Sequence, residues 1–356
     1  MGQEQDYKDL RRHDGRGDSQ RKARHAYLAA LVLLVLTAAC TAQIPKPVAL
    51  AKSKNPYRPE LKFDKAKAWD HLTTQVEFGH RFPGSPGHRN TAQYLIKELE
   101  KTCDKVYTQD FQHRWSMNNK VVRMRNIIGE YNWGKTPVNV DLLAHWDTRP
   151  TADQEPNFSR SQQPILGAND GASGVAVLLE LMRVLKENKA PLGVMILLTD
   201  GEDLGPGLNE MFLGATHFSR NLPTPRPDYG VLLDMIGDKD LRIPAESNSL
   251  VAAPEVVEAF YAHAKAIGME ETFPLTGGEP ISDDHIPLIE AGIPTIDLID
   301  FTYEPWHTLE DTVDKCSPES LEKVGRTLES WLLKPKPWKP TKPVEKRFLR
   351  TEEPTR

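Results

Sequence analysis

The sequence predicts an α/β domain with helices packed on a sheet. Two observations carry this. Continuous apolar runs at Val138 to Ala144, Val194 to Thr199 and Val231 to Leu233 are of the kind buried on both faces in the middle of a sheet. Segments with helical spacing of apolar residues alternate with them. A third observation concerns function: acidic and histidine residues gather directly after the apolar runs, where loops leave the C-terminal ends of strands and α/β sheets build their sites.

The composition fits a globular protein. The 356 residues include 39% hydrophobic and 27% charged side chains, more than enough chain for one large core. A formal net charge of -5 argues against a dedicated nucleic-acid binder, which must meet a phosphate backbone. With only 3 cysteines the chain builds neither a disulfide scaffold nor a cysteine-ligated zinc site. Any metal must be held by His, Asp and Glu.

Residues 1–25 read as a disordered N-terminal segment, and residues 26–42 as an export segment. Ala26 to Ala39 is apolar, follows the basic Arg21, Lys22 and Arg24, and ends in Leu36-Thr37-Ala38-Ala39-Cys40, the order of a secretory signal and processing site. It falls short of the roughly 20 apolar residues of a membrane span. The small residues before Cys40 also resemble a bacterial lipoprotein box. Lipidation at Cys40, simple cleavage and an uncleaved membrane anchor all remain open, each placing the protein in the periplasm or cell envelope. Export leaves Cys103 and Cys316 free to form a disulfide or to stay as isolated buried thiols.

Residues 56–333 form a single catalytic-size domain. Trp69, Leu72 and Val76 share a helical face; Leu95, Ile96 and Leu99 mark a second helix after the loop Phe82-Pro83-Gly84-Ser85-Pro86-Gly87. Asn126 to Tyr131 and Val138 to Ala144 read as strands. A helix over Gly171 to Lys186 carries Val175, Leu178, Leu179, Met182 and Leu185 at helical spacing, and the strands of Val194 and Val231 follow. Pro254 and Gly268 bracket another helix, and Ser317-Pro318 opens a final one with Leu321, Val324, Leu328 and Trp331 facing the core. Residues 334–356, rich in Pro and Lys, read as an extended tail with Trp338 and Phe348 as docking points.

The polar clusters are His145-Trp146-Asp147-Thr148-Arg149-Pro150, Asn169-Asp170-Gly171-Ala172-Ser173-Gly174, Asp200-Gly201-Glu202-Asp203, Asp234, Ser282-Asp283-Asp284-His285 and Pro305-Trp306-His307-Thr308. Each has a plainer reading. Asp170 serves as a helix N-cap, Asp234 as a carboxylate satisfied by a loop, His307 and His285 as hydrogen-bonded turn histidines, and Asp147, Thr148 and Arg149 as stabilisers of the loop after a strand. The Glu202-Asp203 pair resists such a reading, because adjacent carboxylates behind a buried strand need a positive charge. A divalent metal supplies it. Zinc accepts carboxylate and imidazole ligands, so Asp170, Asp203 and His307 make a ligand set with Glu202 beside it as general acid and base.

At these clusters the chain resembles the zinc-dependent aminopeptidase and glutaminyl cyclase superfamily, and is most similar to the glutaminyl-peptide cyclotransferases of animal and bacterial type. The motifs run in order from Phe82-Pro83-Gly84-Ser85-Pro86-Gly87 through Gly201-Glu202-Asp203 and Leu232-Leu233-Asp234-Met235-Ile236-Gly237 to Asp283-Asp284-His285-Ile286-Pro287 and Trp306-His307-Thr308. The resemblance implies a three-layer α/β/α sandwich around a mixed, mostly parallel sheet, with one zinc site at the C-terminal ends of the strands. It implies Asp170, Asp203 and His307 as ligands of one zinc per chain, Glu202 as the catalytic acid and base, Asp234 and Asp283 as carboxylates of its hydrogen-bond network, and Trp306 as the pocket aromatic.

The implied activity is conversion of an N-terminal glutamine of peptides or proteins to pyroglutamate with release of ammonia. The rival is a zinc aminopeptidase, in which His145 and Asp234 hold a second metal bridged by Asp170. A third reading is an exported binding protein on an inactive fold, which the intact ligand set disfavours. The chain departs from the animal cyclases in Ala144, where they carry a disulfide cysteine, and in the stretch Leu204 to Gly214, which lacks their Trp.

Overall fold

The computed structural model describes residues 60–342 and 344. The export segment, Cys40 and Phe348 lie outside the described residues. Strands β1 (Lys105–Trp115) and β2 (Lys120–Tyr131) form an antiparallel hairpin, and β2 pairs antiparallel with β4 (Gly193–Thr199). Strand β3 (Asn139–His145) runs parallel to both β4 and β5 (Tyr229–Asp234), and β5 parallel to β6 (Thr295–Ile299). The resulting 6-stranded sheet has the order β1-β2-β4-β3-β5-β6, mixed and mostly parallel. Because β3 has β4 on one side and β5 on the other, chain direction across the sheet reverses there. This is where an open α/β sheet leaves a crevice outside its strand ends.

The side chains of the central strands alternate between two cores. Leu142, Val194, Ile196, Leu198, Val231 and Leu233 face the larger core, while Leu143, Met195, Leu197 and Leu232 face the smaller one. Period-two alternation with apolar residues on both faces is what makes the runs continuous in sequence. Each fully buried Val or Leu contributes about 1.5–3 kcal/mol. Helices α1 (Lys65–Glu77), α2 (Pro86–Thr102), α3 (Ala172–Glu187), α6 (Pro254–Ala266) and α8 (Pro318–Leu332) cover the larger core. Helices α4 (Leu213–Arg220) and α7 (His285–Glu290) cover the opposite face, completing the three layers; the short α5 (Ser247–Ala252) adjoins β6.

Local chemistry sets the helix starts. Ser85 accepts from the His88 N–H with Pro86 at the first position, so α2 begins inside the segment expected to be loop. Ser317 does the same for α8 through the Ser320 N–H, with Pro318 behind it. Helix α3 lies so close to the sheet that a Cβ on Gly174 would fall 2.2 Å from the Leu233 carbonyl oxygen and 3.0 Å from Ala144 Cβ. Only glycine permits that approach.

The sequence reading stopped short of β1, β6, α4, α5 and α7. Strand β1 is a half-exposed edge with a charged, polar sequence, and β6 carries the buried Asp297, which interrupts its apolar run. Trp338 docks as expected, its ring centroid 5.5 Å from that of Tyr229 and 6.2 Å from that of Trp331. Farther along, the Thr341 and Lys342 N–H groups donate to Glu255, so this stretch of the tail is bound to the domain. Cys103 and Cys316 are both free and buried. No helix among the described residues is long and apolar enough to cross a membrane.

Candidate metal centre

The parallel register brings the ends of β3, β4, β5 and β6 together, with His145 opposite Thr199 and Asp234 opposite Ile299. His145 and Asp234 are the last residues of their strands, Glu202 and Asp203 leave β4, Asp170 precedes α3, Asp283 precedes α7, and Trp306-His307 follow β6. Asp147 Oδ1 accepts the Glu202 N–H and Oδ2 the Asp203 N–H, each at 3.2 Å, so one carboxylate from the loop after β3 shapes the turn after β4.

Two groups of buried side chains offer ligand atoms that all lie within 4.8 Å of one another: Asp170, Asp203 and His307, and His145, Asp170 and Asp234. His307 Nε2 stands 3.2 Å from Asp203 Oδ1 and 3.5 Å from Asp170 Oδ2. His145 Nε2 stands 3.0 Å from Asp170 Oδ1 and 3.2 Å from Asp234 Oδ1. Asp170 is therefore not a cap. Gly171 occupies the N-cap position without a side-chain bond, and a Cβ there would lie 2.6 Å from the His145 ring. The backbone of Asp170 is held instead by Asp311, which accepts from its N–H at 3.2 Å and from that of Asn169 at 2.9 Å.

The donor set fits a divalent cation. Asp170 Oδ2 and Asp203 Oδ2 are buried without a hydrogen-bond partner, a costly arrangement for carboxylate oxygens unless something positive meets them. Burial, followed by Asp203, Asp283 and Asp284, pushes Glu202 well above the ordinary glutamate range against the pull of His145. Burial likewise raises Asp283, with Asp234 and Asp284 adding to it. Burial would also raise Asp203, but His307 and Arg149 outweigh it and hold that carboxyl below its usual range. A carboxylate kept charged for an ion beside one primed to hold a proton is the split that acid–base chemistry at a metal needs.

Above these groups is a chamber of about 40 Å³ lined by Asp170, Glu202, Asp234, Asp283, Phe301 and Trp306, among others. It adjoins a cleft of about 550 Å³ that shares Met211, Ile281, Phe301, Trp306 and His307. The Trp306 ring stacks on His307 at 3.9 Å and 25°, and Phe301 leans on Trp306 at 4.9 Å.

Every site residue expected from sequence is thus brought to one place. His285 is not among the grouped ligand atoms; it is buried 3.3 Å from Glu246. Arg149, read from the sequence as a stabiliser of the loop after a strand, is bonded to Asp203 at 2.7 Å. Asp153, Phe301 and Asp311 were missed. Phe301 and Asp311 stand near Trp306-His307 in sequence, and nothing in the pattern of polar loop residues separates Asp153 from its neighbours.

The model of peptidase family M28 matches residues 126–332, more than half of the chain. The chain belongs to peptidase family M28. Among solved structures, this M28 chain is similar to a leucine aminopeptidase precursor of Bacteroides thetaiotaomicron, at 34% identity and a TM-score of 0.74 over 78% of this chain and 99% of that one. It is equally similar to the glutaminyl cyclase of Bacteroides thetaiotaomicron bound to N-acetylhistamine, at 34% identity and a TM-score of 0.74 over 77% and 99%. Aminopeptidase YwaD of Bacillus subtilis is 31% identical over 202 residues, 54% of this chain and only 40% of that relative's length.

Proposed function

We propose that this M28 protein is a glutaminyl-peptide cyclotransferase that converts the N-terminal glutamine of peptides or proteins to pyroglutamate and releases ammonia. The observation that carries the reading is the inner chamber. At about 40 Å³ it is the narrow inner end of the cleft of about 550 Å³. Its walls are the flat rings of Phe301 and Trp306 and the carboxyls of Glu202 and Asp283. A short, flat carboxamide that fills such a chamber displaces the water a hydrolase would need, and favours a nucleophile already within the substrate.

Asp170, Asp203 and His307 would hold a zinc ion, one per chain, which when bound supplies Lewis acidity toward the γ-carbonyl of the glutamine. Trp306 lies flat against the side chain and orients it. Glu202 takes a proton from the substrate α-amine as that nitrogen forms its bond to the side-chain amide carbon. The same carboxyl then returns the proton to the departing nitrogen, which leaves as ammonia. Besides burial, Asp283, with Asp203 and Asp284, raises the proton affinity of Glu202, and Asp234 lines the same chamber. The export segment read at residues 26–42 would place this chemistry in the cell envelope.

A second reading, a zinc aminopeptidase, has its own observation in the group His145, Asp170 and Asp234, which could take a second ion. The deciding experiment incubates the purified chain, its zinc counted, with a Gln-initiated peptide and follows product mass and free ammonia. Loss of one ammonia from an otherwise intact peptide, with one zinc per chain, is the expected result. Removal of the first residue by a chain holding two zinc ions would overturn it.

A further inference from the structure

We propose that Asp153 is a positioning residue for His307, and that the segment Asp153-Gln154-Glu155 clamps the turn that presents this imidazole to the metal. The inference rests on the reading of Asp170, Asp203 and His307 as zinc ligands. His307 needs an external hold, since it follows β6 on a loop and its own backbone lies in the left-handed region at φ 54°, uncommon for a residue other than glycine.

The hold comes from consecutive residues of the loop after β3. Asp153 Oδ1 lies 3.1 Å from His307 Nδ1. The Gln154 N–H donates to the His307 carbonyl at 3.1 Å, and Glu155 Oε2 accepts the Leu309 N–H at 3.3 Å. Asp153 is itself pinned through its other oxygen, which accepts from Arg149 Nε at 2.8 Å and Nη2 at 2.6 Å. The third guanidinium nitrogen, Nη1, reaches Asp203 Oδ1 at 2.7 Å. One bracket thus ties the imidazole to the carboxylate that faces it.

The chemistry follows from which ring nitrogen faces which group. With Asp153 as acceptor, the proton of the neutral imidazole stays on Nδ1, and Nε2 turns its lone pair toward Asp170 and Asp203. That is the tautomer that binds a metal, and a carboxylate behind the ring makes it a stronger donor. Without Asp153 both tautomers become available and the imidazole loses its own side-chain anchor, while Glu155 still holds Leu309.

The test uses the full chain and two variants, Asp153→Ala and Asp153→Asn, with zinc affinity from competition against a chromogenic chelator. The visible absorption of the cobalt(II)-loaded protein reports ligand geometry, and melting is recorded with and without zinc. Asp153→Ala should weaken zinc binding about 10–100-fold, alter the cobalt band and lower the melting point of the zinc form by more than that of the metal-free form, which loses only the pair with Arg149 and the bond to His307. Asp153→Asn, whose amide oxygen still accepts from Nδ1, should restore most of the affinity. Zinc affinity within about twofold of wild type in Asp153→Ala, with an unchanged cobalt band, overturns the proposal while the ligand assignment stands. So does a metal-free protein destabilised as much as the zinc form, or an Asn variant as weak as the Ala variant. A wild-type chain that binds no zinc overturns the ligand assignment itself, and the clamp with it.

Discussion

His145 Nε2 lies 3.0 Å from Asp170 Oδ1, so the last residue of β3 meets a carboxylate that also faces His307. One aspartate therefore belongs to both potential metal groups, and the number of ions depends on whether His145 is a ligand or a hydrogen-bond partner. As a cyclotransferase with one zinc, His145→Asn should keep its full zinc content. In a two-metal peptidase the same change should cost one of two ions. Metal analysis of the dialysed proteins separates these outcomes.

Glu202 is buried among carboxyls and raised well above its usual range, as a group that both accepts and donates a proton should be. Glu202→Gln removes the shuttle and leaves the ligand atoms of Asp170, Asp203 and His307 in place. Turnover of a Gln-initiated peptide should fall by about 10²–10⁴ with zinc content unchanged. Near-normal turnover would rule the role out.

Asp147 accepts from two buried backbone N–H groups in the turn that carries Glu202 and Asp203. Asp147→Ala orphans both, at a cost of about 1–3 kcal/mol each. Urea unfolding monitored by tryptophan fluorescence should show the midpoint moving down accordingly.

His71 gives a pH dependence remote from the site. Its Nδ1 lies 2.5 Å from the Tyr94 hydroxyl, and burial holds the imidazole below its ordinary range against the opposing charges of Glu98 and Glu180. The folded state prefers the neutral ring. Its contribution is therefore complete above the unfolded value of 6.5 and lost as pH falls through the depressed folded value. Lowering the pH from about 7.5 to about 5.5 should destabilise the wild type more than His71→Gln, read as the shift in urea midpoint.

Most of the sheet was legible because its inner strands are apolar on both faces, and the helices because capping residues and prolines mark their starts. Strand β1 was not, since an exposed edge needs no apolar pattern, and β6 was hidden by Asp297, whose burial depends on the elements around it. For the site, the clusters His145, Asp170, Glu202-Asp203, Asp234, Asp283 and Trp306-His307 announced themselves by following buried strands or opening helices. Asp153 did not, because a loop carboxylate looks the same in sequence whether it faces water or the back of a ligand; Arg149 stood in the first cluster, but its bond to Asp203 depends on how two loops meet.

The sequence by itself determined the α/β class, the cores of the central strands and the residue types able to bind a metal, since these depend on local periodicity and on the chemistry of single side chains. Only the tertiary structure decided that Asp170 faces two imidazoles instead of capping α3, that Asp147 shapes the Glu202-Asp203 turn, and that Trp306 stacks on His307. Those relationships join residues far apart in the chain. They arise from strand order and register, which no local stretch encodes.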